Sequence, residues 1–268
     1  MNEKEVFYNL TNIKVIKSRK IKIGITNINY KILTNEGVFV LRIPRKGIEG
    51  ISFINQAKVL NVVKDINVDV VYYDFKTGIL ISKYVDKQKQ KKVSFNVVID
   101  ILKKLHNLPI ENIDRFDPFK LIKLYKSIAL ETEFIDEKNI INKAKKLYKK
   151  YPLCFCHNDL LYANFLKSKE RYYLIDYEYA GLNIALFDIA SFLSENNIND
   201  KKLQIKFIKK YFNYFDDSLY EDIITMFNLL DLLWYYWASA LYKLYKEEIF
   251  NIIALEKKEH LLSRCYNS

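Results

Sequence analysis

Glycine, proline, cysteine and arginine are all scarce in this chain of 268 residues, and each shortage excludes something. Six glycines and four prolines leave no room for collagen-like repeats or long Pro/Gly-rich disordered tracts. Three cysteines, an odd number, exclude a closed disulfide framework. Cys154 and Cys156 form a C-x-C pair with no second pair nearby, so the usual zinc spacings are absent too. The opening Met1-Asn2-Glu3-Lys4-Glu5 places acids where a secretory signal needs a basic and then an apolar region, which predicts a cytoplasmic protein.

The net charge is +11, yet only six of the 43 basic residues are arginine. Sequence-specific nucleic-acid readers lean on arginine for bidentate contacts to bases, so this charge reads as a solvated lysine surface with a generic attraction to polyanions, a nucleotide triphosphate included. A stretch at 223–242 carries no lysine or arginine and approaches a membrane-spanning length. Asp231 lies in its middle, at a cost of roughly 2.5–3.5 kcal/mol on insertion, and Thr225, Asn228 and Ser239 add polar load. The expectation is a buried helix at the centre of a globular lobe, not a span.

Half of the residues are apolar, enough for a full core. Short β-rich runs at 20–26, 29–33 and 38–43 are separated by Asn and Gly turns, and 69–75 and 79–84 resume strand character. Between them, 53–65 has helical spacing. The polar run 86–92 has one apolar-free composition throughout and reads as a linker. Beyond it Ser94 is a candidate N-cap, Val97, Val98, Ile101, Leu102 and Leu105 share a face, and 118–150 continues helical. Short apolar runs at 154–159 and 172–176 flank a polar loop, and everything after Ile184 reads as helix. This predicts an α+β chain of two lobes, a small β-rich one at 1–85 and a larger helical one at 86–268, with a nucleotide in the cleft.

The polar loop Phe155-Cys156-His157-Asn158-Asp159-Leu160-Leu161-Tyr162-Ala163-Asn164 contains H-x-D-x-x-x-x-N, and twelve residues beyond Asn164 an apolar run ends at Asp176. That is the pattern of a kinase catalytic loop. Phosphoryl transfer needs positioning and cancellation of charge on the γ-phosphate more than covalent help. Asp159 can orient or deprotonate a substrate hydroxyl, while Asn164 and Asp176 supply hard oxygen ligands for Mg2+. His157 reads as a brace for the loop. The competing interpretation is a polar turn with an incidental histidine, and the three residue types at their spacing, with apolar runs on either side, weigh against it.

These residues resemble the catalytic signature of the aminoglycoside-phosphotransferase and choline-kinase superfamily, whose fold is similar to that of protein kinases. Leu174-Ile175-Asp176-Tyr177-Glu178-Tyr179-Ala180-Gly181-Leu182-Asn183, followed by Phe187-Asp188-Ile189-Ala190 and Glu195, closely resembles the choline/ethanolamine kinases, above all their compact bacterial branch. Gly24-Ile25-Thr26-Asn27-Ile28-Asn29-Tyr30 resembles that branch's first hairpin. The resemblance implies that Asp159 is the catalytic base, that Asn164 and Asp176 bind Mg2+, and that Arg42 meets the phosphates of ATP. It also implies that Gly24, Thr26 and Asn27 cover the triphosphate, that Tyr84 and Val85 meet the adenine, and that Asp188 holds the catalytic loop.

Trp234 and Trp237 stand at i and i+3, on one helical face. By spacing alone they read as core; they are similar to the family's W-x-x-W, which implies a cage for the quaternary ammonium of choline, with Glu178 and Glu195 as its acids. Glu195 also fits a solvated helix end, and His106 fits a structural helix-end motif. Two departures stand out. Gln56 replaces the family's glutamate on the first small-lobe helix, and the stretch 196–200 lacks the tyrosine of larger relatives, leaving Phe250 as the late aromatic candidate. The implied activity is an ATP- and Mg2+-dependent kinase of choline. Ethanolamine or an aminoglycoside as acceptor, and a nucleotide-binding pseudokinase, are the alternatives.

Overall fold

The first helix follows from its cap. The side chain of Asn2 accepts from the Lys4 amide, Glu5 reaches back to the Asn2 amide, and Phe7 supplies the buried side chain. In the computed structural model, which describes residues 2–22, 24–86, 92–129 and 136–266, this helix is α1 (Glu3–Thr11). It is followed by β1 (Val15–Ile21), β2 (Asn27–Thr34), β3 (Gly37–Pro44), α2 (Phe53–Val62), β4 (Val70–Tyr73) and β5 (Leu80–Lys83). Then come α3 (Phe95–His106), α4 (Pro118–Ala129), α5 (Glu137–Lys150), β6 (Leu153–Cys156), β7 (Phe165–Lys167), β8 (Tyr172–Leu174) and β9 (Gly181–Ile184). Four helices finish the described chain: α6 (Ala185–Glu195), α7 (Lys201–Phe212), α8 (Asp217–Tyr245) and α9 (Glu248–Tyr266).

The chain divides into two compact units. The first comprises residues 1–101, 111–113 and 162–180; the second comprises 102–110, 114–161 and 181–268. The division runs through α3, and most of the linker expected at 86–92 lies outside the described residues.

In the first unit a five-stranded antiparallel sheet has the order β1-β2-β3-β5-β4. Phe7 of α1 packs with Ile32, Phe39, Leu41 and Ile81 on one face of it. The sheet thus carries two helices where the apolar spacing predicted one, because nine residues with a single fully buried side chain leave little periodicity to detect. The first strand also ends at Ile21 and does not reach 26: Gly24 turns at φ +98°, a conformation that side chains resist, and Asn27 already belongs to β2. The β7–β8 hairpin belongs to this unit, and the Leu174 amide donates to the Ile66 carbonyl just after α2 (3.0 Å).

In the second unit α8 is buried along most of its length and packs against α4, α5, α6 and α9. It is the helix that the lysine-free stretch predicted. Asp231 at its middle is fully buried, and no described helix is long and apolar enough to cross a membrane. The β6–β9 ribbon sets Cys156 opposite Gly181. A Cβ on Gly181 would meet the backbone carbonyl of Asp114 at 2.7 Å, so glycine is required there by close approach.

Candidate active site

The first unit gathers Thr26, Asn27, Arg42, Asn164, Asp176 and Glu178. Arg42 lies in β3, opposite Asn29 of β2 and Leu80 of β5, so two neighbouring strands fix its backbone. Its side chain is buried, and Nη1 donates to Asp176 Oδ1 at 2.9 Å. Arg42 Nε is buried with no hydrogen-bond partner among the described residues. Asp176 follows β8 in the left-handed region, at φ +72°, and its side chain is one-third exposed. Asn164 is buried at the end of a single 3-10 turn, and its carbonyl accepts from the Ile175 amide at 3.0 Å. That bond extends the β7–β8 ladder and keeps the two expected Mg2+ ligands in one frame.

Glu178 closes this group. Thr26 Oγ1 donates to its Oε1 at 2.9 Å and Asn27 Nδ2 to its Oε2 at 2.8 Å, so an acid 151 residues away holds the first hairpin loop. Burial pushes its carboxyl up to about 7, the nearby Asp176 charge adds to this, and Arg42 and the two hydrogen bonds offset only part of it. Gln56 is buried, with Oε1 2.8 Å from the Tyr73 hydroxyl, whose one proton it shares with the Phe53 carbonyl at 3.0 Å. Arg42 takes Asp176 as its carboxylate partner among the described residues, not a residue of α2. Tyr84 follows β5; its amide is committed to the Val38 carbonyl (2.9 Å) and Lys31 Nζ lies 3.6 Å from its ring centroid, while Val85 beside it is half-buried. A cavity of about 520 Å3 between α2 and β4, lined by Leu60, Lys64, Asp69 and Tyr73 among others, touches none of the expected site residues.

The second unit holds Asp159, Glu195, Trp234 and Trp237. The loop after β6 is bolted to α6. Asp188, fully buried in the first turn of that helix, accepts from the His157 amide (2.9 Å) and the Asn158 amide (2.7 Å). The Leu160 amide donates to Ser191 Oγ at 3.0 Å, and Asn196 donates to the Leu160 carbonyl at 2.8 Å. Asn158 is held at φ +67°, and Asn183 Nδ2 donates to its side chain at 2.8 Å. Between these anchors Asp159 stays half-buried, its amide donating to His157 Nδ1 at 3.3 Å. His106 meets Asp188 through Nε2 (3.0 Å) and Tyr211 through Nδ1 (2.6 Å). Burial works against its charge, but the hydrogen bond and charge of Asp188 outweigh it and raise the imidazole.

On α8 the tryptophan rings meet edge to face, with centroids 5.6 Å apart at 83°. Phe250 of α9 packs against Trp237 at 5.9 Å and stacks on Tyr245 at 5.7 Å. The late aromatic candidate thus joins the tryptophan cluster. Glu195 is not a solvated helix end. Lys257 donates to it at 2.6 Å and also reaches Asp231 at 3.2 Å. Arg264 bonds Asp231 as well, and His260 lies 3.7 Å from it. Lys257 is one of 37 lysines, and its mark in the sequence is that Lys257, His260 and Arg264 stand at i, i+3 and i+7 on one helical face.

A family model described as choline/ethanolamine kinase matches residues 19–258. Protein LicA of Haemophilus influenzae is 28% identical over 196 residues, which cover 66% of this chain and 57% of that protein, so the chain spans little more than half the length of this relative. The crystal structure of choline kinase LicA from Streptococcus pneumoniae superposes with a TM-score of 0.81 at 22% identity, covering 99% of this chain and 98% of that one. A spectinomycin phosphotransferase superposes at 0.60 with 14% identity, over 97% and 93% of the two chains. The fold is accordingly the α+β, protein-kinase-like fold of choline kinases and aminoglycoside phosphotransferases. The chain belongs to the choline/ethanolamine kinase family.

Proposed function

We propose that this chain is an ATP- and Mg2+-dependent choline kinase, transferring the γ-phosphoryl group to the choline hydroxyl to give phosphocholine. The observation that carries the choice of acceptor is the aromatic cluster of Trp234, Trp237 and Phe250. A quaternary ammonium has no N–H to donate, so ring faces and nearby negative charge are the available means of holding it. Glu178 and Glu195 are the acids that the family resemblance assigns to that charge, and Lys257 already pairs with Glu195 at 2.6 Å. Asp159 orients the choline hydroxyl and takes up its proton, from a loop whose backbone Asp188 fixes.

Arg42 neutralises phosphate charge, and its buried Nε without a partner suits a phosphate oxygen. Gly24, Thr26 and Asn27 cover the triphosphate, and Tyr84 and Val85 face the adenine. Asn164 and Asp176, both hard-oxygen donors, would hold Mg2+, which cancels charge on the phosphates when bound. The setting is the cytoplasm, in keeping with an odd number of cysteines and no disulfide framework.

Ethanolamine is the second acceptor to weigh, because residues 196–200 lack a tyrosine and the cage is lean. The test is the ratio of kcat/KM for choline to that for ethanolamine, in wild type and in Trp237→Ala. A ratio above one that collapses in the variant supports the cage; a ratio below one that the variant leaves unchanged replaces choline with the primary amine.

A further inference from the structure

The side chains of the candidate active site leave unused a second cluster of reactive groups, behind the loop after β6 in the second unit. Cys154 and Cys156 are separated by one residue in β6, so their side chains leave the same face of the strand. Their Sγ atoms lie 3.5 Å apart, both as free thiols. A ring nitrogen of His106, brought in from the end of α3, completes a triangle of donor atoms that all lie within 4.8 Å of one another. The sequence spacing concealed this, because the third donor stands 48 residues before the first cysteine.

We propose that Cys154, Cys156 and His106 bind a thiophilic divalent ion of the Zn2+ class, at a site separate from Asn164 and Asp176.

The dimensions suit such an ion. Zinc–sulfur bonds of about 2.3 Å and a zinc–nitrogen bond of about 2.0–2.1 Å at tetrahedral angles set the sulfurs about 3.8 Å apart and each sulfur about 3.6 Å from the nitrogen. The thiols are already near that separation, and the imidazole needs to close by at most about 1.2 Å. The donor set of two sulfurs and one imidazole favours Zn2+ over Mg2+ or Ca2+, which take oxygen. Charge suits it too: two thiolates cancel the 2+ of the ion, so a neutral complex replaces two buried polar groups. Cys156 is fully buried while Cys154 is half-buried, which gives an ion a way in.

The surroundings resemble those of a ligand imidazole. His106 Nε2 meets Asp188 Oδ2 at 3.0 Å, the carboxylate–histidine arrangement that fixes the ring of a metal ligand. Coordination through Nδ1 exchanges its hydrogen bond to Tyr211 for the metal bond and keeps the Asp188 contact. Binding releases to solvent the two thiol protons and, where the raised imidazole carries one, the Nδ1 proton, while the Nε2 proton stays toward Asp188. Cys156 donates to or accepts from Cys154 and holds that thiol below its ordinary range, while burial pushes Cys156 upward, so the second deprotonation is driven by the ion. Because Asp188 also holds the His157 and Asn158 amides, an ion here sits one residue behind the loop that carries Asp159.

The experiment is a titration of the reduced, chelator-treated, untagged protein with Co2+. One equivalent is expected to give a thiolate-to-cobalt charge-transfer band, to be displaced by one equivalent of Zn2+, and to protect two of the three thiols from a chromogenic disulfide reagent. Cys154→Ser should abolish the band, and His106→Gln should weaken Co2+ at least tenfold, with circular dichroism confirming that each variant is folded. The wild-type spectrum alone decides the matter if a variant fails to fold. No charge-transfer band, a band that survives in folded Cys154→Ser, or oxidation of the thiol pair without metal uptake would each overturn the proposal.

Discussion

Lys257 donates to Glu195 at 2.6 Å, and the lysine side chain is 6% exposed against 14% for the glutamate. An ammonium from the last helix thus occupies an acid that the family resemblance assigns to the substrate's ammonium. The pair is extended, since Lys257 also lies 3.2 Å from the fully buried Asp231. Burial raises the Glu195 carboxyl, and burial opposes the charge on Lys257, but the two acids outweigh it and raise the amine. Breaking a buried pair costs about 3–5 kcal/mol because the remaining charge is stranded. Lys257→Met should therefore lower the urea-unfolding free energy by roughly that amount, and adding Glu195→Gln should recover part of it. Two single losses that simply add would show that the residues do not interact.

Glu178 makes the stability of the first unit depend on pH. Its carboxyl lies at about 7 in the folded protein against 4.5 for the ordinary side chain. The folded state thus favours the protonated form, and this contribution is complete below about 4.5 and is lost as the pH rises through about 7. The Tm of wild type relative to Glu178→Gln should fall between pH 5 and pH 8. A difference that is flat over that window would contradict the raised carboxyl.

Arg42 joins the sheet to the segment after β8. Arg42→Leu removes the charge-assisted bond to Asp176 and the buried Nε donor proposed for a phosphate oxygen, where such a bond would be worth about 1.5–3 kcal/mol. The KM for ATP should rise by roughly ten- to a hundredfold, with the KM for choline unchanged. An unchanged ATP KM would remove Arg42 from the phosphate site.

Asp188 is a positioning residue. Asp188→Asn keeps the size but turns an N–H toward one of the two amides that the carboxylate accepts, and it weakens the partner of His106. A misplacement of about 1 Å can cost about a hundredfold in rate, so kcat should fall by that order with both KM values retained. A fall in stability with kcat preserved in the folded fraction would make the residue a fold element alone.

Much of this was legible in the chain. The H-x-D-x-x-x-x-N loop declared itself because a short motif fixes its own spacing, and α8 did so because twenty residues without lysine in so basic a protein need a buried environment. Scarce glycine helped: Gly24 and Gly181 each mark a backbone constraint, one a positive φ and the other a close approach. What remained hidden depends on pairs far apart in sequence. Nothing local couples Glu178 to Thr26, Lys257 to Glu195, or His106 to Cys154. Gln56 illustrates the point. In sequence it is a missing charge; in the fold it is a satisfied acceptor for Tyr73, and Arg42 turns to Asp176.

Phosphoryl transfer to choline through Asp159 is tested by ADP release from MgATP with choline, ethanolamine and aminoglycosides in parallel, for wild type and Asp159→Ala. The account predicts choline-dependent turnover in wild type and a loss of about 10²–10⁴-fold in the variant, with MgATP binding intact. Tight MgATP binding without turnover on any acceptor, or choline turnover undiminished in Asp159→Ala, would contradict it.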